Sequence, residues 1–221
     1  MTARIKIDFV SDVSCPWCAV GLCSLEIALD RLAGEVQAEI NFQPFELNPD
    51  MPPEGQDTVE RLARKYGMTT EEVRRNGEAI TARGHDVGFT FNMDKRTHTY
   101  NTFDAHRLLH WASLDGHQLK LKHALLKAYF TDGENPSAHD VLIRLCGESG
   151  LDAQRARQIL ESDEYATDVR ERERFYAQQG INSVPSIIIN ERHLIQGGQA
   201  PEAFEHALRQ AVAHSTEQAR G

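Results

Sequence analysis

Ser11-Asp12-Val13-Ser14-Cys15-Pro16-Trp17-Cys18 lies at the seam between a strand and a helix, and it puts two thiols there. Upstream, Ile5-Lys6-Ile7-Asp8-Phe9-Val10 alternates apolar and polar residues as a half-buried strand does. Downstream, Ala19-Val20-Gly21-Leu22 opens a helical stretch that reaches Leu32. Cys15 therefore falls at a helix N-terminus, where unpaired N–H groups and the helix dipole favour a thiolate. Pro16 suits the first helical turn, because its missing N–H costs no intrahelical bond. The amide of Cys18 points back toward the Cys15 sulfur in such a turn. A thiolate is the form that attacks disulfides, so the segment outlines a redox centre. Pro16 and Trp17 carry no charge, and the expected lowering of the Cys15 pKa is moderate.

The chain has 221 residues, enough for one large domain or one domain carrying an insertion. Its hydrophobic share of 40% and charged share of 26% are those of a globular protein. A net charge of -9 argues against nucleic acid and against an anionic membrane surface as partners. No run approaches the ~20 apolar residues of a membrane span. Met1-Thr2-Ala3-Arg4 leads straight into strand-like sequence without an apolar signal segment, so a cytoplasmic location is the expectation. In that compartment Cys15, Cys18, Cys23 and Cys146 are not a disulfide framework, and a close pair points to catalysis or metal.

Val36 to Phe42 alternates as a second strand after Gly34, and a Pro-rich stretch, Asn48 to Gly55, then breaks regular structure. Helical patterns follow. Asp57 to Glu60 resembles a capping box for a helix closed by Gly67, and Thr69 or Thr70 caps the next, which Gly84 ends. Val87 to Asn92 reads as extended or loop. Further helices are expected at about Thr99–Leu114 and Gln118–Phe130, and from a Ser137 cap through Cys146. Another starts at Asp152, with a kink or restart at Glu161 to Glu164, and runs to Gln179 before Gly180. Ser186–Ile189 and His193–Ile195, joined by Asn190-Glu191, form a hairpin signal. Gly197-Gly198 reads as a turn, Pro201 opens a last helix to about Ala213, and Ser215 to Gly221 is expected to fray. The order is βαβ, a long helical block, then αββα.

The strand, the Cys-Pro-Trp-Cys helix start and Val184-Pro185 before the hairpin resemble the thioredoxin fold. The helical block resembles the DsbA-type oxidoreductases. Ser11 to Cys18, together with Asn101-Thr102-Phe103-Asp104-Ala105-His106-Arg107-Leu108, is similar to their FrnE-like branch. The likeness covers roughly residues 4 to 213. It implies an α/β, thioredoxin-like fold with an inserted all-helical subdomain: residues 1–52 and 152–221 as the thioredoxin-like domain, 53–151 as the insertion. It implies Cys15 as the attacking thiol, Cys18 as the resolving thiol, and Pro185 as a cis-proline facing them. Val184 then contacts the substrate chain, by β-addition. Trp17 and Pro16 flank the thiols as apolar contacts, and Asn101, His106 or Arg107 line the cleft, unless that helix face is simply solvated or hydrogen-bonded. Phe45, Phe89 and Phe91 are candidates for an apolar rim or for the core.

The implied activity is a thiol–disulfide oxidoreductase or disulfide isomerase acting on disulfide-containing proteins, peptides or small thiol disulfides. No cofactor is bound; electrons come from glutathione or a partner dithiol. A reducing cytosol favours reductase or isomerase action. Related glutathione-dependent chromene-carboxylate isomerases and kappa-class transferases usually have serine at the position of Cys15 and lack the second cysteine. That sets a rival: a glutathione-dependent small-molecule isomerase or polyketide-pathway tailoring enzyme. A second rival is a chaperone or interaction module with incidental thiols. Zinc is disfavoured, since no second close cysteine pair exists and His106 with His110 has no further ligand motif. Cys23 and Cys146 read as small core residues.

Overall fold

The computed structural model describes residues 2–218, with side chains to 214. The first strand, β1 (Ala3–Ser11), pairs in parallel with β2 (Val36–Pro44), in a register that sets Ile7 beside Ile40 and Phe9 beside Phe42. The helix between them, α1 (Pro16–Arg31), supplies the right-handed crossover a parallel pair needs. On its other edge β1 takes β5 (Ser186–Ile189), antiparallel, and β5 takes β6 (His193–Gln196), giving the order β2-β1-β5-β6. The β5–β6 turn uses Asn190 and Glu191 at φ 50 and 60, the left-handed pair that a tight hairpin requires. The last helix, α9 (Pro201–Gln218), lies beside α1. It runs past the expected end at Ala213; of the tail expected to fray, residues 219–221 lie outside the described residues.

Between β2 and β5 lie seven helices: α2 (Thr58–Tyr66), α3 (Thr70–Asp86), α4 (Phe103–Leu114), α5 (Gln118–Lys127), α6 (His139–Glu148), α7 (Ala153–Leu160) and α8 (Ala166–Gln178). Several local expectations shift. The reciprocal capping box sits at Thr69 and Glu72, whereas Asp57 only accepts from the Glu60 amide. Gly84 does not end α3; it lies within it, and a Cβ there would come 2.4 Å from the Phe91 ring. Residues 98–102 are not helical, because β4 (His98–Thr99) pairs with β3 (Gln56–Asp57). Ala138, not Ser137, caps α6; Ser137 is held by the Asn135 side chain instead. A turn of π-helix, Ala128–Asp132, extends α5.

Two cores result. One is built on the sheet, α1 and α9, with Ile5, Ile7, Phe9, Leu22, Leu25, Ile187 and Phe204 buried together, and it also takes in Phe91, Tyr129 and Phe130 from the helical block. The other joins α4, α5, α6 and α7 through Leu108, Leu121, Leu142 and Ile159. Ala156 and Leu160, beyond the expected boundary at residue 151, pack in this second core.

Arg107 is an anchor of that second core rather than a cleft residue. It is 4% exposed, donates to Glu164 O at 2.9 Å and to Asp104 Oδ1 at 2.7 Å, and bonds the carbonyls of Ile159 and Ser162. It thus satisfies the carbonyls left open at the break between α7 and α8, where Tyr165 takes φ 61. Arg107→Ala takes this donor from the Ser162 and Glu164 carbonyls, while Ile159 O keeps the Ser162 N–H and O–H, and should cost roughly 3 kcal/mol in urea unfolding.

Candidate active site

Cys15 is the N-cap of α1 and Pro16 its first residue, so the sulfur stands over the free N–H groups of the first turn. Cys18 N–H bonds Cys15 O at 3.0 Å. The Val184–Pro185 bond is cis, and the Cys15 thiol donates to Val184 O at 3.7 Å. This approach depends on two glycines. A Cβ on Gly21 would come 3.3 Å from Pro185 Cγ, and one on Gly198 would come 2.9 Å from Trp17 O. Gly198 is therefore more than a turn residue: the Trp17 backbone and ring lie over it.

The two thiols differ in environment. Cys15 is 5% exposed and Cys18 fully buried. The hydrogen bond from the Cys18 thiol, with the Cys18 and Trp17 amides, holds the Cys15 pKa below that of an ordinary thiol, against burial and the nearby Asp12 charge. Burial pushes Cys18 well above that value, and its bond to Cys15 adds to the effect. The outer sulfur thus sits where a thiolate is favoured, and the inner one where the protonated thiol is. Burial also raises Cys23 to about 11 and Cys146 to about 12, so neither resembles an activated thiol.

Trp17 is 37% exposed beside the thiols, Pro16 and Val184 are half-buried, and Pro185 is buried against α1. His106 does not reach the surface: it is 3% exposed, its Nε2 lies 3.1 Å from Phe45 O and 3.8 Å from Asp12 Oδ1, and it supports the site from behind. Asn101 spends its amide on Glu46 and Pro49 O and accepts from Phe103 N–H, which makes it a joint between loops. Phe91 is core, packed on Phe89 and Phe130; Phe45 packs near Val10 and Tyr176. Among the described residues no cluster of His, Cys, Asp and Glu could hold a metal ion.

Two residues were missed. Asp12, fully buried, accepts from Ser14 N–H at 3.0 Å, Ser14 O–H at 2.9 Å and Leu47 N–H at 2.7 Å, tying the β1–α1 turn to the chain after β2. Burial works to raise its pKa, but His106 and the Leu47 and Ser14 amides outweigh that and hold it at about 2. Its place inside the Ser-Asp-Val-Ser stretch was the available signal. Lys122 is 1% exposed on α5, in a stripe with Gln118, Leu121 and Leu125 that is otherwise uncharged. A lysine at such a position is the signal that could have found it.

A strand-to-helix dithiol facing a cis-proline segment places the protein in the thioredoxin-fold class. The chain belongs to the DSBA-like thioredoxin domain family, whose model matches residues 6–209. It is 32% identical to a probable DsbA oxidoreductase from Streptomyces coelicolor, with a TM-score of 0.88 over 94% of this chain and 89% of that one. It is 28% identical to the uncharacterized protein YwbO of Bacillus subtilis, covering 94% of this chain and 96% of that protein. The fold is shared with the cytosolic disulfide reductase DsbM of Pseudomonas aeruginosa, solved with GSH, at 16% identity and a TM-score of 0.62 over 93% of this chain and 98% of that one. No helix among the described residues is long and apolar enough to cross a membrane.

Because its folded-state pKa is depressed from 3.8 to about 2, Asp12 contributes stability that is present above pH 3.8 and lost as the pH falls toward 2. Asp12→Asn should therefore lose about 2 kcal/mol at neutral pH and show a flatter acid limb in urea melts across pH. The same substitution removes a charge that disfavours the Cys15 anion, so ultraviolet thiolate absorbance should titrate at lower pH.

Proposed function

We propose that this protein is a cytoplasmic thiol–disulfide reductase or isomerase that works through Cys15 and Cys18 on disulfide-containing proteins, peptides or small thiol disulfides. The observation that carries this reading is the asymmetry of the dithiol: Cys15 favoured as an anion at the head of α1, Cys18 held protonated just inside. Cys15 attacks a substrate disulfide and retains one half as a mixed disulfide. Cys18 then attacks Cys15, and the second substrate thiol departs. Trp17 offers the apolar contact, and the Val184 backbone meets an extended substrate next to the sulfur.

No resident cofactor is needed. The reduced dithiol is restored by glutathione or a partner dithiol. Near the site, Arg61, Arg64 and Lys65 line a cavity of ≈ 340 Å³ whose Leu47 wall hangs from Asp12. Its lining, three cations against the one carboxylate of Asp50, supports an anionic thiol such as glutathione, the molecule present with DsbM. The presence of both thiols weighs against glutathione-assisted isomerisation of a small molecule.

The purified protein should reduce insulin disulfides with glutathione as electron source. Cys15→Ser should fall to the uncatalysed rate, and Cys18→Ala should accumulate a Cys15 mixed disulfide visible by mass spectrometry. Full activity in Cys15→Ser would defeat the reading; turnover of a small-molecule substrate untouched by Cys18→Ala would favour the isomerase instead.

A further inference from the structure

Lys122 poses a physical problem. Its side chain is 1% exposed, and its Nζ has no hydrogen-bond partner among the described residues. Taking an ammonium out of water costs several kcal/mol when nothing compensates. The face of the Phe42 ring, 5.5 Å from Nζ, compensates only in part. Burial lowers the Lys122 pKa from that of an ordinary amine, and Cys18, Asp12 and Cys15 act against that by favouring the ammonium. From α4 comes His106, itself turned to Asp12; from β2, only the Phe42 ring. A cavity of ≈ 740 Å³ between the sheet, α4 and α8 is lined by Lys122 with Ser11, His106 and Gln118.

We propose that Lys122 is a positioning residue for the resolving step: its ammonium, buried over the Phe42 ring in the core that also holds Cys15 and Cys18, favours the thiolate of Cys18 once Cys15 is bonded to substrate. The proposal rests on the dithiol reading above.

The chemistry balances as follows. The Cys15 thiolate attacks a disulfide R–S–S–R′, the S–S bond breaks, and R′S⁻ leaves. The Cys18 thiol then loses its proton, its sulfur bonds Cys15 Sγ, the Cys15–SR bond breaks, and RS⁻ leaves and takes up a proton. Two electrons pass from the dithiol to the substrate. Before the first attack, the Cys15 anion holds the Cys18 proton in place. In the mixed disulfide Cys15 is neutral. The charge that opposed ionisation of Cys18 is gone, and the cation that favours it stays. Lys122 thus has its effect after capture, which keeps the two thiols from ionising together.

Lys122→Met tests this, with Lys122→Arg as the charge-keeping control. The full-length protein is reacted with glutathione disulfide, and the Cys15–glutathione adduct is followed by quenched mass spectrometry. In Lys122→Met the adduct should persist about tenfold longer at neutral pH, the gap closing at alkaline pH where Cys18 ionises unaided; Lys122→Arg should restore the parent lifetime. In a Cys15→Ser background, Lys122→Met should raise the Cys18 thiolate midpoint by about one pH unit. The Met variant removes an unpaired buried charge, so its melting temperature should not fall; should it not fold, Lys122→Gln serves in the same two assays. Equal Cys18 midpoints with and without the ammonium would overturn the role of Lys122. A parent protein that never forms the Cys15–Cys18 bond would defeat the dithiol reading, and the single-thiol titration would still decide the effect of Lys122.

Discussion

The first turn of α1 reaches the Val184–Pro185 segment because neither Gly21 nor Gly198 has a side chain. With Cβ atoms at those positions the helix would stand off from Pro185 and from the 197–198 turn. That close approach sets the Cys15 sulfur against Val184 O and leaves Trp17 at the rim. The N-terminal half of the domain brings the thiols; the C-terminal half brings the surface they face. Contact between them, across the whole helical block in sequence, makes the site.

The helical block does more than fill the gap. Its aromatic residues Phe91, Tyr129 and Phe130 complete the core around α1. Arg96 stacks on Tyr129 and Phe130 and reaches Ser14 O at 3.4 Å, bracing the turn before the dithiol. From α4, His106 stands behind Asp12, and from α5, Lys122 lies over the Phe42 ring in the core that holds the two cysteines. Glu46, which burial pushes to a higher pKa, is held by Arg170 and Asn101 in the same polar layer. A turn that would otherwise be a surface loop is thereby fixed from three sides, as a reacting group needs.

Charge is arranged unevenly around the two sulfurs. The outer thiol gains from hydrogen bonds and the helix terminus; the inner one is penalised by burial. Asp12 opposes the anion on Cys15, while Lys122 favours it on Cys18. In so dry an environment each of these charges acts with less screening than at the surface.

The sequence alone determined the local parts: a thiol at a helix start, set by strand alternation followed by Cys-Pro-Trp-Cys; the β5–β6 hairpin, from Asn190-Glu191; and the interruption near Glu161. These rest on short-range periodicity and turn chemistry, which neighbouring residues carry by themselves. Only the tertiary structure decided what each polar residue faces. Helix α4 was legible as a helix, but not that Arg107 turns into the second core while His106 turns to Asp12. Gly84 and Gly198 were legible as breakers, yet one lets the Phe91 ring pack closely on α3 and the other lets the chain pass against Trp17, far away in sequence. The cation of Lys122 comes from a helix about a hundred residues further along the chain than Cys18. A residue's pKa and its partners depend on such through-space neighbours, and spacing along the chain does not encode them.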